Sequence, residues 1–218
     1  PGEPGPEKAG TRDLRSRLRE TVAYLRRDGG ALSAILTYGM IHAVYPPVVV
    51  ALPFFIDEVI GLGEAVYGYS MALLLAGGGA GALLYGFFSP RLRGNSPLLF
   101  GSLFLMSGLL LAVGLLPRAA VLFPSLFAAG LSLGTVHQIM TTSLYRRVEG
   151  DSRGRVFGLM ESLASAALPI SYGVSGFLVG FFRTDLPLFF ALLAGISALT
   201  SLSVLLHGKL SAYISTMR

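Results

Sequence analysis

Three groups of side chains in this sequence could do chemistry. Tyr38, His42 and Tyr45 stand at i, i+4 and i+7, so a helix would place two phenols and an imidazole on one face. Gly134, His137, Gln138 and Thr141 share a face in the same way further along the chain. The third group is charged: Glu161 follows Arg155 by six residues, and Arg91 and Arg93 form a separate basic segment. The first two groups offer aromatic surface and hydrogen bonds to a partly apolar guest. His42 titrates near neutrality when unperturbed and could carry a proton, although a histidine satisfied by its neighbours reads equally well. Glu161 would be either a proton site or the ion-pair partner of Arg91, Arg93 or Arg155 at a gate.

Other chemistries find little support. The G-x-S-G pattern from Gly173 to Gly176 invites a serine nucleophile at Ser175, which would need a histidine within hydrogen-bond reach. On the helix placement below, His207 would lie about 25 Å away at 1.5 Å per residue. His42 and His137 belong to other helices, so the expectation is a protein that is not an enzyme. There is no cysteine, no HExxH and no GxxxxGK[ST], so no metal or cofactor is expected.

What must position these residues is a membrane domain. Hydrophobic residues make up 53% of the 218, charged residues only 13%, and the mean hydropathy is +0.66, too apolar for an ordinary soluble domain of this size. Six apolar runs, at 32–55, 66–88, 98–116, 119–144, 156–182 and 186–206, are each long enough to cross a hydrocarbon core of about 30 Å. Ahead of them, 1–10 reads as a flexible linker end. Leu14, Leu18, Val22 and Leu25 then recur at helical spacing among arginines, as in a basic helix lying on a headgroup surface. The expected domains are linker and surface helix (1–30), six-helix transmembrane domain (31–208) and tail (209–218).

The segment RRVEGDSRGRVFG, from Arg146 to Gly158, is expected to be a loop at one membrane face, because its four arginines cannot sit in hydrocarbon. Positive loops stay cytoplasmic, which orients every other crossing. Of the 17 Lys and Arg residues, all but Arg118 and Arg183 then fall inside, and both ends of the segment are cytoplasmic in an inner or plasma membrane. The net charge of +5 is thereby assigned to lipid headgroups and not to nucleic acid.

The spans differ in kind. The third and sixth are almost wholly apolar, as expected at a bundle's edge. The first and fourth carry the polar faces and are expected to line a cavity. The second and fifth are rich in small residues, with Gly77, Gly81 and Gly86 in one, Gly173, Gly176 and Gly180 in the other, and GxxxG spacing at Gly77/Gly81 and Gly176/Gly180. Prolines 46, 47, 53, 124 and 169 should interrupt hydrogen-bond ladders. The order polar, small, apolar occurs twice, and two units with an odd number of crossings must be inverted relative to each other. The fold class is an all-α membrane protein of two inverted three-helix repeats.

In order and spacing, several segments resemble the second half of a major facilitator superfamily transporter, in the branch of siderophore and macrolide-type exporters. They are the lead-in RLRETVAYLRRDGGAL, the span ending ALPFFI, the run VYGYSMALLLAGGGAGALLYG, the Arg91/Arg93 loop and HQIMTTSLYRRVEGDSRGRVFGLMESLASAALPISYGVSGFLVG. The resemblance implies helices seven to twelve of twelve, with one wall of a substrate cavity. It also implies a partner six-helix half, in the same chain or another, and export of small amphipathic molecules driven by protons. GFFSPRLRG, from Gly86 to Gly94, occupies the place of the family's cytoplasmic loop motif but lacks its acid. A non-transporting scaffold, or a half-size subunit that pairs with a second six-helix chain, is the alternative.

Overall fold

The computed structural model describes residues 29–63, 65–89, 96–148 and 150–206. The basic helix expected near residues 12–27, the Arg91/Arg93 loop and the tail from His207 lie outside them. The described residues form six long helices and no strand. They are α1 (Gly29–Phe54), α2 (Ala65–Phe88), α3 (Ser96–Leu115), α4 (Ala119–Arg147), α5 (Gly150–Phe181) and α6 (Leu186–Leu206). They run from 20 to 32 residues, and all six carry a stretch long and apolar enough to cross a membrane. In lipid no water can satisfy a backbone N–H or C=O, so a continuous helix is the form such a stretch must take.

The expected loop from Arg146 to Gly158 is mostly helical. α4 continues to Arg147 and α5 begins at Gly150, leaving a connection of two residues. A guanidinium is costly in hydrocarbon but not on a helix end that extends beyond it, so charge alone does not require a loop here. Val148 is buried at the joint, and Arg153 Nε donates to its carbonyl at 3.0 Å, closing the end of α4. The prolines also interrupt less than expected. α1 stays helical through Pro46, Pro47 and Pro53 and relaxes only beyond them, into a π-helical turn over Phe55–Ile60. Gly61 ends that turn in the left-handed conformation at φ 76°, which a glycine adopts without a Cβ penalty.

The packing follows an internal two-fold. Exchanging α1–α2–α3 for α4–α5–α6 maps the close pair α2/α4 onto α5/α1, and α3/α4 onto α6/α1, while α3/α6 maps onto itself. All of these pairs are in contact. The α3/α6 seam contains a buried hydrogen bond from Ser107 Oγ to Ser197 Oγ at 2.9 Å. Gly114 also lies close enough to α6 that a Cβ would meet the Pro187 carbonyl at 2.7 Å. α3 is therefore no simple edge helix: half of its apolar stretch is buried, against an eighth for α5 and about a fifth for α2. α2 and α5 present Tyr69, Leu83, Phe87, Ile170, Phe177 and Phe181 outward.

Candidate functional site

α2 and α4 touch backbone to backbone. A Cβ on Gly77 would overlap the Phe127 carbonyl, one on Gly81 the Leu131 carbonyl, one on Gly130 the Leu74 carbonyl and one on Gly134 the Gly78 carbonyl. Lipid supplies no hydrophobic drive between apolar helices, so this close approach, with the dispersion contacts it allows, is what holds the pair. It also leaves a trough, because glycines have no side chains to fill the groove beside the seam. α1 and α5 form its other side, and the result is an open cleft of about 470 Å³.

The cleft is walled mainly by Leu74, Leu75, Gly78, Gly79, Ala82, Leu133, Gly134 and Leu168, with three polar-tipped rings, Tyr45, His137 and Tyr172, among them. An apolar enclosure with a few directional groups suits a small amphipathic molecule. Beside it, Tyr38 is buried, its ring centroid 5.4 Å from that of His137, and its hydroxyl donates to Glu161 Oε1 at 3.3 Å. One phenol thus connects α1, α4 and α5.

The residues singled out in the sequence divide accordingly. Tyr45, Gly134 and His137 line the cleft. Tyr38 lies behind the lining, on Glu161. Gln138 is half-buried outside the cleft, and Thr141 faces a second cleft, of about 510 Å³, at the arginine-rich end; its hydroxyl donates to the His137 carbonyl at 2.8 Å. That second cleft is also lined by Arg146, Arg153 and Phe157, with the Arg153 guanidinium 4.4 Å from the Tyr145 ring centre. The side chains of His42 and Arg155, and all of Arg91 and Arg93, lie outside the described residues. Gly77 and Gly81 are buried in the α2/α4 seam. Gly86, Gly173, Gly176 and Gly180, expected as packing contacts of the same kind, have open space where a Cβ would go, because they sit on outward faces. Ser175 is buried and donates within its own helix to the Ser171 carbonyl, as a helical serine in an apolar setting does.

Sequence reasoning passed over Tyr172 and Gly79. Tyr172 carried a signal, a polar-tipped ring in the middle of an apolar span; the contribution of Gly79 is visible only once its neighbours are in place. No group of three His, Cys, Asp or Glu side chains among the described residues could hold a metal ion.

At the opposite end Arg183, in the turn before α6, meets Glu58 within the π-helical turn. Its Nη2 lies 2.6 Å from Oε1, its Nε donates to the same oxygen at 3.0 Å, and its guanidinium covers the Phe54 ring at 4.7 Å. Hydrogen bonding to the Glu58 carboxylate, then its charge, pushes the Arg183 pKa up from its ordinary value. Asp185 accepts from the Leu188 N–H at 3.1 Å and so satisfies a free donor at the start of α6.

Residues 11–211 match the profile of the Major Facilitator Superfamily. The chain belongs to that superfamily. As a member of this transporter family it is a multi-pass membrane protein, and the six described helices are each long and apolar enough to cross a lipid bilayer. Among similar proteins, macrolide efflux protein A of Enterococcus faecalis is 25% identical over 160 residues, a match covering 70% of this chain and 48% of that protein. The macrolide efflux protein A of Streptococcus pyogenes matches at 25% over 160 residues, or 38% of its length. The crystal structure of peptide transporter POT in complex with sulfate superimposes with a TM-score of 0.68 at 19% identity, covering 84% of this chain and 38% of that one. That likeness is one of fold. The chain spans about half, or less, of the length of these relatives.

Proposed function

We propose that this chain is the C-terminal six-helix half of a secondary transporter that exports small amphipathic molecules by alternating access, driven by proton entry. The observation that carries the reading is the open cleft between α1, α2, α4 and α5, with Tyr45, His137 and Tyr172 as its polar points. The exposed apolar faces of α2 and α5 beside it are where a second six-helix half, in the same chain or a partner, would close the cavity. The rocking of one half against the other then exposes the cleft to each side in turn.

In this reading Tyr45 and Tyr172 hold the guest by ring contact and hydrogen bonding. The substrate class follows the macrolide efflux relatives and the apolar lining. Glu161, held by Tyr38 and adjoining His137 through that ring, is the acid best placed to take up the driving proton. His42 stays a candidate on its spacing, and Arg91, Arg93 and Arg155 remain candidates for the cytoplasmic gate. The excess of Lys and Arg around the α4/α5 joint supports a cytoplasmic location for that end, in the inner or plasma membrane.

The test is reconstitution of the complete protein in vesicles with an imposed pH gradient. Accumulation of macrolides, lipophilic dyes or siderophore-like compounds should follow the gradient and collapse with a protonophore. Flux that is the same in protein-free vesicles across such a panel would refute export. Glu161→Gln should uncouple accumulation from the gradient, and His42→Gln tests the competing proton site in the same assay.

A further inference from the structure

The glycines of α2 do two different jobs. Gly77 and Gly81 are buried and admit no Cβ, because the α4 backbone already occupies that space. Gly79 lies on the adjoining face, where a Cβ would meet nothing within 4 Å, yet it lines the cleft together with Gly78, Leu75 and Ala82. Packing among the described helices therefore does not require a glycine at 79. What the glycine leaves open is room in the cleft, opposite Tyr45 and Tyr172.

We propose that Gly79 is a specificity-determining residue: its missing side chain sets the largest ligand that fits the cleft, and a side chain there would exclude bulky guests while still admitting small ones. The inference rests on the transport reading for its biological meaning, but not for its test. A shape-filling side chain discriminates by size, since even one methylene too many in an apolar pocket costs about tenfold or more in binding. A glycine needed for packing would instead cost stability, equally for every ligand.

The experiment compares Gly79→Ala, Gly79→Leu and Gly77→Leu in the full-length protein in nanodiscs. Rhodamine dyes with successively larger N-alkyl groups are titrated by fluorescence anisotropy, and thermal unfolding is recorded in parallel. Gly79→Leu should keep the parental unfolding temperature, bind the smallest dye as the parent does, and lose about tenfold or more in affinity for the largest. Gly79→Ala should show the same trend, reduced. Gly77→Leu should unfold early whatever the dye. Equal affinities for all dyes in parent and Gly79→Leu would overturn the proposal, as would unfolding of Gly79→Ala alongside Gly77→Leu, or a parent protein that binds none of the dyes. Size-selective binding without gradient-driven flux would uphold the role of Gly79 and sink the transport reading alone.

Discussion

The α2/α4 and α5/α1 pairs are equivalent under the internal two-fold, and they are built differently. α2 meets α4 through glycines at backbone distance, with Gly77, Gly81, Gly130 and Gly134 all inside the seam. α5 carries the same spacing at Gly176 and Gly180, but these glycines face outward, and the pair is linked to its surroundings by Tyr38–Glu161 at one level and Glu58–Arg183 near its other end. A small-residue spacing permits close approach without specifying it; the partner helix must offer a matching groove. One pair meets backbone to backbone through glycines, and the other packs through side chains, Ile35 and Tyr38 with Val156 and Met160, with the Tyr38–Glu161 hydrogen bond among them.

The contrast can be broken most directly at its glycines. Gly81→Leu should cost about 3 kcal/mol or more, as expected of overpacking against immovable backbone, and should abolish monodisperse protein on size exclusion in detergent. Gly176→Leu, the same change in the other pair, should cost less than Gly81→Leu, because a Cβ there meets nothing within 4 Å among the described helices. Similar losses for both would erase the distinction between backbone seam and side-chain packing.

Smaller effects should come from single hydrogen bonds. Tyr38→Phe removes the donor to Glu161 and should cost about 1 kcal/mol in thermal unfolding while loosening α1 from α5. Fluorescent labels on those two helices should report a broader distance distribution, and no change would make this contact incidental. Ser107→Ala, at the α3/α6 seam, should cost about 0.6 kcal/mol, the usual size of such a bond between membrane helices. Glu58→Gln should have the smallest effect, visible at low ionic strength and gone in high salt, because the Arg183 pair is exposed. A loss that persists in high salt would mean that the contact acts through packing on Phe54 and not through charge.

Much of this architecture was legible in the residues. The six apolar runs mark the helices to within a few residues, except at the α4/α5 joint. There the four arginines predict a loop, yet arginines also sit comfortably on helix ends, and the segment is mostly helical. The polar faces of the first and fourth spans led to Tyr45 and His137, both in the cleft. Thr141 was grouped with them because helical spacing records angle around the axis and not depth along it; one turn beyond His137 it already faces the second cleft. Around Tyr172 the glycines dominate the sequence pattern of the span, and its place in the cleft depends on helices distant in the chain.

The sequence alone determined six stretches long and apolar enough to cross a bilayer among the described residues, with Arg146, Arg147 and Arg153 beside the joint between the fourth and fifth, since about twenty apolar residues and a guanidinium each have only one comfortable place in lipid. Tertiary structure alone decided which glycines bear on a neighbour and which open a cleft, and that Tyr38 reaches Glu161 across 123 residues of chain. The physical reason is range. Burial in lipid is a property of each segment by itself, whereas a backbone contact or a hydrogen bond between helices exists only once both partners have been placed.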